Sequence, residues 1–289
     1  MKISAVIACR NAARTIGRQI EAVATQAWHD GFDIIVVDNR STDESRCVVQ
    51  RYMRQFPSLR LIVANDRLGA GYARNCGVRE SKAEAVVFCD ADDEVAPGWL
   101  AAMGGALGQH DFVACRIDVG KINDPRIAGT SPHPQSVGLQ RMPYPPYLPH
   151  AGGGTLGIRR QLHDEIGGFD EQFRFVQDTH YCLKAQLAGR ALHFVPEASV
   201  HVRMRDTLKG TFRQARGWGQ YSVRLYRESL RLGTEPLPHP VRYGLQAWLS
   251  ILRTLPGARH RDARRKWVFQ LGYRVGRLAG TLLYLTVAP

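Results

Sequence analysis

No run of about 20 apolar residues occurs in the 289-residue chain, so no segment reads as a helix able to cross a bilayer. The longest candidate, Leu278 to Ala288, is too short and follows Arg274 and Arg277. The six cysteines are scattered without a C-x-x-C pair, which argues against a zinc site. Low-complexity tracts and short internal repeats are missing as well. So are the two familiar glycine-rich phosphate loops. The first apolar run ends in Ala8-Cys9-Arg10-Asn11-Ala12, where a dinucleotide fold needs G-x-G-x-x-G and a P-loop needs G-x-x-x-x-G-K-[ST]. The same segment lacks the triphosphate loop that a sugar nucleotidyltransferase needs. Met1-Lys2 leads straight into a strand pattern with no leader, and the expectation is a reducing, cytoplasmic compartment.

Acidic residues are scarce at one end. From Arg203 onward only Asp206, Glu228, Glu235 and Asp262 stand against a long series of arginines and lysines, and the whole chain carries a formal charge of +13. Such a tail suits nucleic acid or an anionic membrane surface. Interleaved Trp218, Tyr221, Trp248, Trp267 and Phe269 favour the membrane interface, so the expectation is no nucleic acid and a peripheral contact on the inner face of the membrane. Packing of the tail on the rest of the chain is the other reading. Gly272, Gly276 and Gly280 recur every fourth residue, which allows close approach of a helix or a lipid surface.

What is present is a regular alternation of apolar runs and helical patterns. Strands are expected at 3–8, 32–38, 59–64, 85–89 and 112–115, with helices at 13–26, from 41, 71–81 and 97–107 between them. That alternation means βαβ units and a parallel sheet. From Lys121 to His150 seven prolines leave no room for a long helix or a central strand, and a loop of that length reads as a lid or a disordered segment. Beyond it, a strand is expected at 155–158, helices at 160–166 and 177–188, and short strands at 192–195 and 200–202. Helices follow from Asp206, one with Leu245, Trp248, Leu249, Leu252 and Leu255 on one face.

The chemistry concentrates at Ala85-Val86-Val87-Phe88-Cys89-Asp90-Ala91-Asp92-Asp93. A buried strand ends there in several carboxylates, and ligands of open α/β sheets bind beyond the carboxyl ends of such strands. Clustered carboxylates repel one another unless a cation joins them, and Mg²⁺ or Mn²⁺ takes oxygen ligands while leaving positions for substrate phosphates. A solvated acidic turn opening the helix after Pro97 is the alternative. Asp38, at the end of the second strand, is placed to accept from a ribose hydroxyl or a base N–H. Asn65 to Gly71 turns into a helix carrying Arg74, an arrangement that suits a diphosphate.

This ordered set resembles family 2 glycosyltransferases of the GT-A fold. The pieces that carry the resemblance are the opening strand with Arg10-Asn11, the segment from Val36 to Asp43, Asn65…Gly69…Ala73-Arg74-Asn75-Cys76-Gly77, Asp90-Ala91-Asp92, Gly167-Gly168-Phe169-Asp170-Glu171, and Gln177-Asp178. They span residues 1–205. The resemblance implies a Rossmann-like, mostly parallel sheet flanked by helices as the catalytic domain over 1–205, with a basic helical extension over 206–289. It implies a metal-dependent, inverting glycosyltransferase with a UDP-, dTDP- or GDP-sugar donor, Mn²⁺ or Mg²⁺ as cofactor, and a glycan or lipid-linked acceptor in cell-envelope or exported glycan synthesis. A nucleotide-sugar-binding scaffold and glycosylation of a soluble natural product are the alternatives.

Position by position, the resemblance implies that Asp38, Ala8, Arg10, Asn11, Gly69, Arg74 and Asp90 bind the nucleotide. Asp90 and Asp92 would hold the metal, and His201 would complete its shell or be an interfacial histidine with no ligand role. Asp178 would be the general base. Gly153, Gly154, Thr155 and Gln177 would line the acceptor edge, the glycines giving a sugar room to approach, with the proline-rich segment as an acceptor-side lid. Gln177 stands where the family usually has Glu, and Lys184 where it usually has Arg. Arg216 and Trp218 form an imperfect match to the Q-x-x-R-W motif of processive synthases, with packing as the alternative.

Overall fold

The computed structural model describes residues 1–128 and 133–288. Four β/α alternations and a closing strand open the chain, in the order β1 (Ile3–Cys9), α1 (Ile16–Ala24), β2 (Phe32–Asp38), α2 (Ser45–Met53), β3 (Leu59–Val63), α3 (Ala70–Glu80), β4 (Ala85–Asp90), β5 (Glu94–Val95), α4 (Trp99–Gln109) and β6 (Phe112–Asp118). The proline-rich stretch contributes only the short α5 (Pro125–Ala128), a 3-10 turn at Pro134–Ser136 and the two-residue strands β7 (Gln140–Arg141) and β8 (Pro149–His150). Its residues 129–132 lie outside the described residues, so the lid expectation falls partly there. β9 (Leu156–Arg159), α6 (Arg160–Glu165), α7 (Gln177–Leu187) and β10 (His193–His201) follow, then α8 (Leu208–Arg231), α9 (Pro240–Thr254) and α10 (Arg261–Tyr284).

Among the described residues the main sheet has the order β3-β2-β1-β4-β9-β6-β10-β5. β9 runs antiparallel between β4 and β6, and β5 antiparallel beside β10; the other pairs are parallel. The strands at the centre are apolar throughout because both faces are covered. Ile7, Val36 and Val87 belong to the cluster under α1, α2 and α4, while Val6, Val37 and Phe88 belong to the cluster under α3 and α7.

The chain divides into two compact units. One comprises residues 1–122, 133–140 and 149–203; the other comprises 123–132, 141–148 and 204–289. Two pieces of the proline-rich stretch, 123–128 and 141–148, group with the C-terminal helices in this division. Two expected strands, at 192–195 and 200–202, are one strand, β10, whose register to β6 shifts between Val195 and Ser199. Pro196 has no N–H to give the ladder and marks that irregularity, which is why the sequence reads as a break.

In the second unit the glycines at 272, 276 and 280 sit against α8. A Cβ on Gly276 would overlap the Arg216 carbonyl, and one on Gly219 would overlap the Tyr273 carbonyl. This is packing within the chain, as is the role of Trp218, whose ring meets Phe269 edge-on at 5.8 Å. No helix among the described residues is long and apolar enough to cross a membrane.

Candidate active site

Two strand ends frame the site. In the parallel register Cys9 of β1 lies beside Asp38 of β2, and Ala8 lies beside Asp90 of β4. Backbone bonds continue past the ladder, with Asn39 N donating to Cys9 O at 2.8 Å and Ala91 N to Ala8 O at 3.2 Å. The turn after β1 is held from the opposite side. Asn11, at φ 51°, donates its N–H to Ser41 Oγ at 2.9 Å and accepts from Thr42 N at 2.8 Å, while Ala13 N donates to Asp43 Oδ2 at 3.0 Å. Arg10 is exposed at this rim.

Asp38 is 1% exposed. Its Oδ2 accepts from Arg46 Nε at 2.7 Å, but its buried Oδ1 has no hydrogen-bond partner. A buried carboxylate oxygen without a donor is costly, so the atom fits a ligand N–H or O–H. Asn39 fixes the neighbouring wall: its Nδ2 reaches Ala64 O and Arg67 O, each at 2.7 Å, and its Oδ1 accepts from Gly69 N at 2.8 Å. Gly69 and the start of α3 are thereby tied to the end of β2.

Arg74 departs from the expectation. It is 1% exposed rather than open to a phosphate, and its Nη2 donates to Asp90 Oδ1 at 2.5 Å while its guanidinium lies over the Phe169 ring. Its Nε and Nη1 are buried without partners. Arg74 thus braces Asp90 from behind. The glycine turn before β9 makes this possible: a Cβ on Gly153 would stand 2.6 Å from Arg74 Nη1, and one on Gly154 would stand 2.8 Å from Asp90 Oδ2. The missing side chains at 153 and 154 therefore make room for the Arg74–Asp90 pair, a different use from the sugar approach expected. Thr155 is buried, its hydroxyl donating to Gly152 O at 2.7 Å and accepting from Gln135 Nε2 at 2.8 Å. That hydroxyl is engaged within the protein.

Asp178 lies in the first turn of α7, where the helix dipole favours an anion. Its Oδ2 accepts from Gly153 N at 3.0 Å and its Oδ1 from Thr179 N at 2.8 Å. Gln177, beside it, is 9% exposed. His150 is pushed to a lower pKa by burial, against the upward pull of Asp178.

The acidic turn is braced on several sides. Gln19 is fully buried and bridges it to α1, donating from Nε2 to Asp90 O at 3.1 Å and accepting from Val95 N at 3.0 Å. Arg203, two residues past β10, holds it as well, with its N donating to Asp93 Oδ1 at 2.9 Å and its Nε to Asp92 O at 3.1 Å. Burial first, then Asp92 and Asp90, push the Asp93 carboxyl well above the usual range. His201, two residues before Arg203, has Nδ1 2.8 Å from Asp118 Oδ2, an arrangement that orients an imidazole and leaves Nε2 as its other nitrogen.

Among the described residues no three His, Cys, Asp or Glu side chains stand together closely enough to cage an ion. The expected set Asp90, Asp92 and His201 is therefore not gathered as a ready-made site. Its chemistry nevertheless fits a hard cation that keeps places for water and phosphate oxygens, for which one or two carboxylates suffice.

Sequence reading missed Gln19, Gln135 and the bracing by Arg203. Of these only Gln19 left a signal, since it occupies a core-facing position among Ile16, Ile20 and Val23.

Comparisons with known proteins bear on the family and the fold. The model of glycosyl transferase family 2 matches residues 4–167. The uncharacterized glycosyltransferase YwdF of Bacillus subtilis (strain 168) is 30% identical over 216 residues, covering 71% of this chain and 75% of that protein. Mannosyltransferase PcManGT from Pyrobaculum calidifontis, in complex with GDP-Man and Mn²⁺, is similar in fold at a TM-score of 0.68 and 20% identity, over 96% of this chain and 86% of that one. S. aureus TarS 1-349 in complex with UDP-GlcNAc is similar at 0.55 and 16% identity, over 99% and 93%.

Proposed function

The chain belongs to glycosyl transferase family 2, and from that premise we propose that it moves a sugar from a nucleoside-diphosphate donor to an acceptor hydroxyl with inversion at the anomeric carbon. The observation that carries this reading is the turn at Gly153 and Gly154. One of these residues donates to the carboxylate of Asp178, and the next lies against the carboxylate of Asp90. A base and a donor-side acid are thus held by consecutive residues.

Asp38 accepts from the base or ribose through its unpartnered Oδ1, with Ala8, Arg10, Asn11 and Gly69 around it. Arg74 sets the rotamer of Asp90. Asp178 removes the acceptor proton as the acceptor oxygen attacks the anomeric carbon, and the bond from that carbon to the diphosphate oxygen breaks with its electron pair. Displacement in one step inverts the configuration and forms no covalent glycosyl-enzyme. Asp90, Asp92 and the Nε2 of His201 are the groups that would hold Mn²⁺ or Mg²⁺, which when bound neutralises charge on the leaving diphosphate. Gln177, next to the base in sequence, is assigned to the acceptor edge on the family resemblance alone.

The donors seen with the structural relatives, GDP-Man and UDP-GlcNAc, support GDP and UDP as first probes, with dTDP as a third. The acceptor is a glycan or lipid-linked hydroxyl of envelope or exported glycan synthesis. Calorimetric titration of the three nucleotides with and without Mn²⁺ tests the reading. One nucleotide should bind tightly only with metal, and Asp92→Ala should remove that enhancement. Absence of binding by all three under both conditions overturns it.

A further inference from the structure

Helix α9 turns two apolar faces to different surroundings. Ile251 is buried and its carbonyl accepts from Trp267 Nε1 of α10 at 3.0 Å, so this side anchors the helix to its own unit. A second row does not. Val241, Leu245, Leu249 and Leu252 are 58%, 62%, 49% and 65% exposed. At the helical turn of about 100° per residue they fall within about 80° of one another. Leu255, just past the helix, is 49% exposed. Scattered exposed leucines are ordinary, but a contiguous row marks a docking surface.

Charge selects the occupant. Exposed Arg242 and Arg253 lie along one edge of the row, and exposed Arg259, Arg264 and Lys266 follow. The sequence has no acidic residue between Glu235 and Asp262. A partner must therefore be apolar in the middle and anionic at the rim. A second copy of this helix would bring arginines against arginines with no carboxylate to answer them. Nucleic acid would answer the charge but not the leucines. A lipid surface with anionic headgroups answers both, since amphipathic helices lie in that interface with the apolar row among the upper acyl carbons and Arg on the phosphates.

We infer that α9 docks the protein on an anionic lipid surface, with Val241, Leu245, Leu249 and Leu252 entering the acyl boundary and Arg242 and Arg253 on headgroup phosphates. This goes beyond the transferase reading and needs no donor, so the two can fail separately.

The test is co-sedimentation of the full chain with vesicles of phosphatidylglycerol and phosphatidylcholine, and of phosphatidylcholine alone. The wild-type protein should bind the anionic vesicles and largely lose them at high salt. Leu245→Gln with Leu252→Gln should weaken binding at least tenfold at an unchanged melting temperature. Arg242→Gln and Arg253→Gln should each cost about fivefold, and only at low salt. Failure of the wild-type protein to bind anionic vesicles overturns the inference. So does binding by the double leucine variant equal to wild type. A change from dimer to monomer in that variant, with vesicle binding unchanged, would assign the row to a second copy instead.

Discussion

The backbone N–H of Gly153 donates to the carboxylate of Asp178 across 3.0 Å. The bond ties the turn before β9 to the first turn of α7, and it leaves one further lone pair on Oδ2 to meet an acceptor hydroxyl. An amide oxygen could take the same N–H but could not take the proton.

Asp178→Asn therefore separates structure from chemistry. Transfer should fall by about 10²- to 10⁴-fold, the range for loss of a general base, while nucleotide affinity stays near wild type. The melting temperature should fall modestly, because the amide can accept from Gly153 N but turns its NH2 to Thr179 N. The rate of sugar transfer, read alongside a nucleotide titration, checks both halves. A variant that retains its rate would remove Asp178 from the mechanism.

Gly154→Ala tests the room beneath the donor carboxylate. The new methyl would meet Asp90 Oδ2 at 2.8 Å and the Asp90 backbone nitrogen at 3.1 Å. The expected outcome is a loss of about 1–3 kcal/mol in stability, measured by urea unfolding, together with weaker metal-dependent nucleotide binding. A stable variant with wild-type binding would mean that Asp90 can move freely.

Asp38→Ala removes the acceptor that has an unused oxygen. Hydrogen bonds to a charged group contribute about 1.5–3 kcal/mol, so nucleotide affinity should fall by roughly ten- to a hundredfold. Calorimetry with the preferred nucleotide measures it. Unchanged affinity would place the base elsewhere.

His163 makes stability depend on pH. It is buried with Nδ1 2.7 Å from the Tyr181 hydroxyl, and burial, then Lys184, Arg160 and Arg79, lower its pKa to about 4. A histidine in the unfolded chain titrates near 6.5. Because the folded pKa is the lower one, the unfolded state takes up the proton first as pH falls. The contribution is whole above about pH 6.5 and is lost progressively down to about pH 4. Between about pH 7 and pH 4.5 the wild type should lose on the order of 2 kcal/mol more than His163→Gln, in paired urea titrations. Parallel loss in both proteins would assign the acid sensitivity to other groups.

How much of this could be read from the chain depends on the range of the interaction. The parallel sheet was legible because β1, β2 and β4 are short apolar runs at helix-spaced intervals, a local signal. The place of Asp38 and Asp90 at strand ends was legible because each closes such a run. The function of Gly153 and Gly154 was not, since the atoms that would clash belong to Arg74 and Asp90, more than 60 residues away in sequence. Arg74 carries a charge, and nothing local said it would be buried against Phe169. Arg203 reaches the acidic turn across about 110 residues and looks, in sequence, like one more member of the basic tail. β10 was split in two because Pro196 is a strong local signal that the sheet accommodates by a shift of register.

Gly219 of α8 and Gly276 of α10 face each other's helices, each nestled against a carbonyl oxygen of the opposite backbone. At that separation the glycine Cα–H groups point at carbonyls, the geometry of weak C–H···O bonds. The pair also works as a vernier. Sliding α10 by one residue past α8 would set Val275 or Arg277 where only a hydrogen fits, so a one-residue slip is excluded. The position along the axis is held by side chains that are absent.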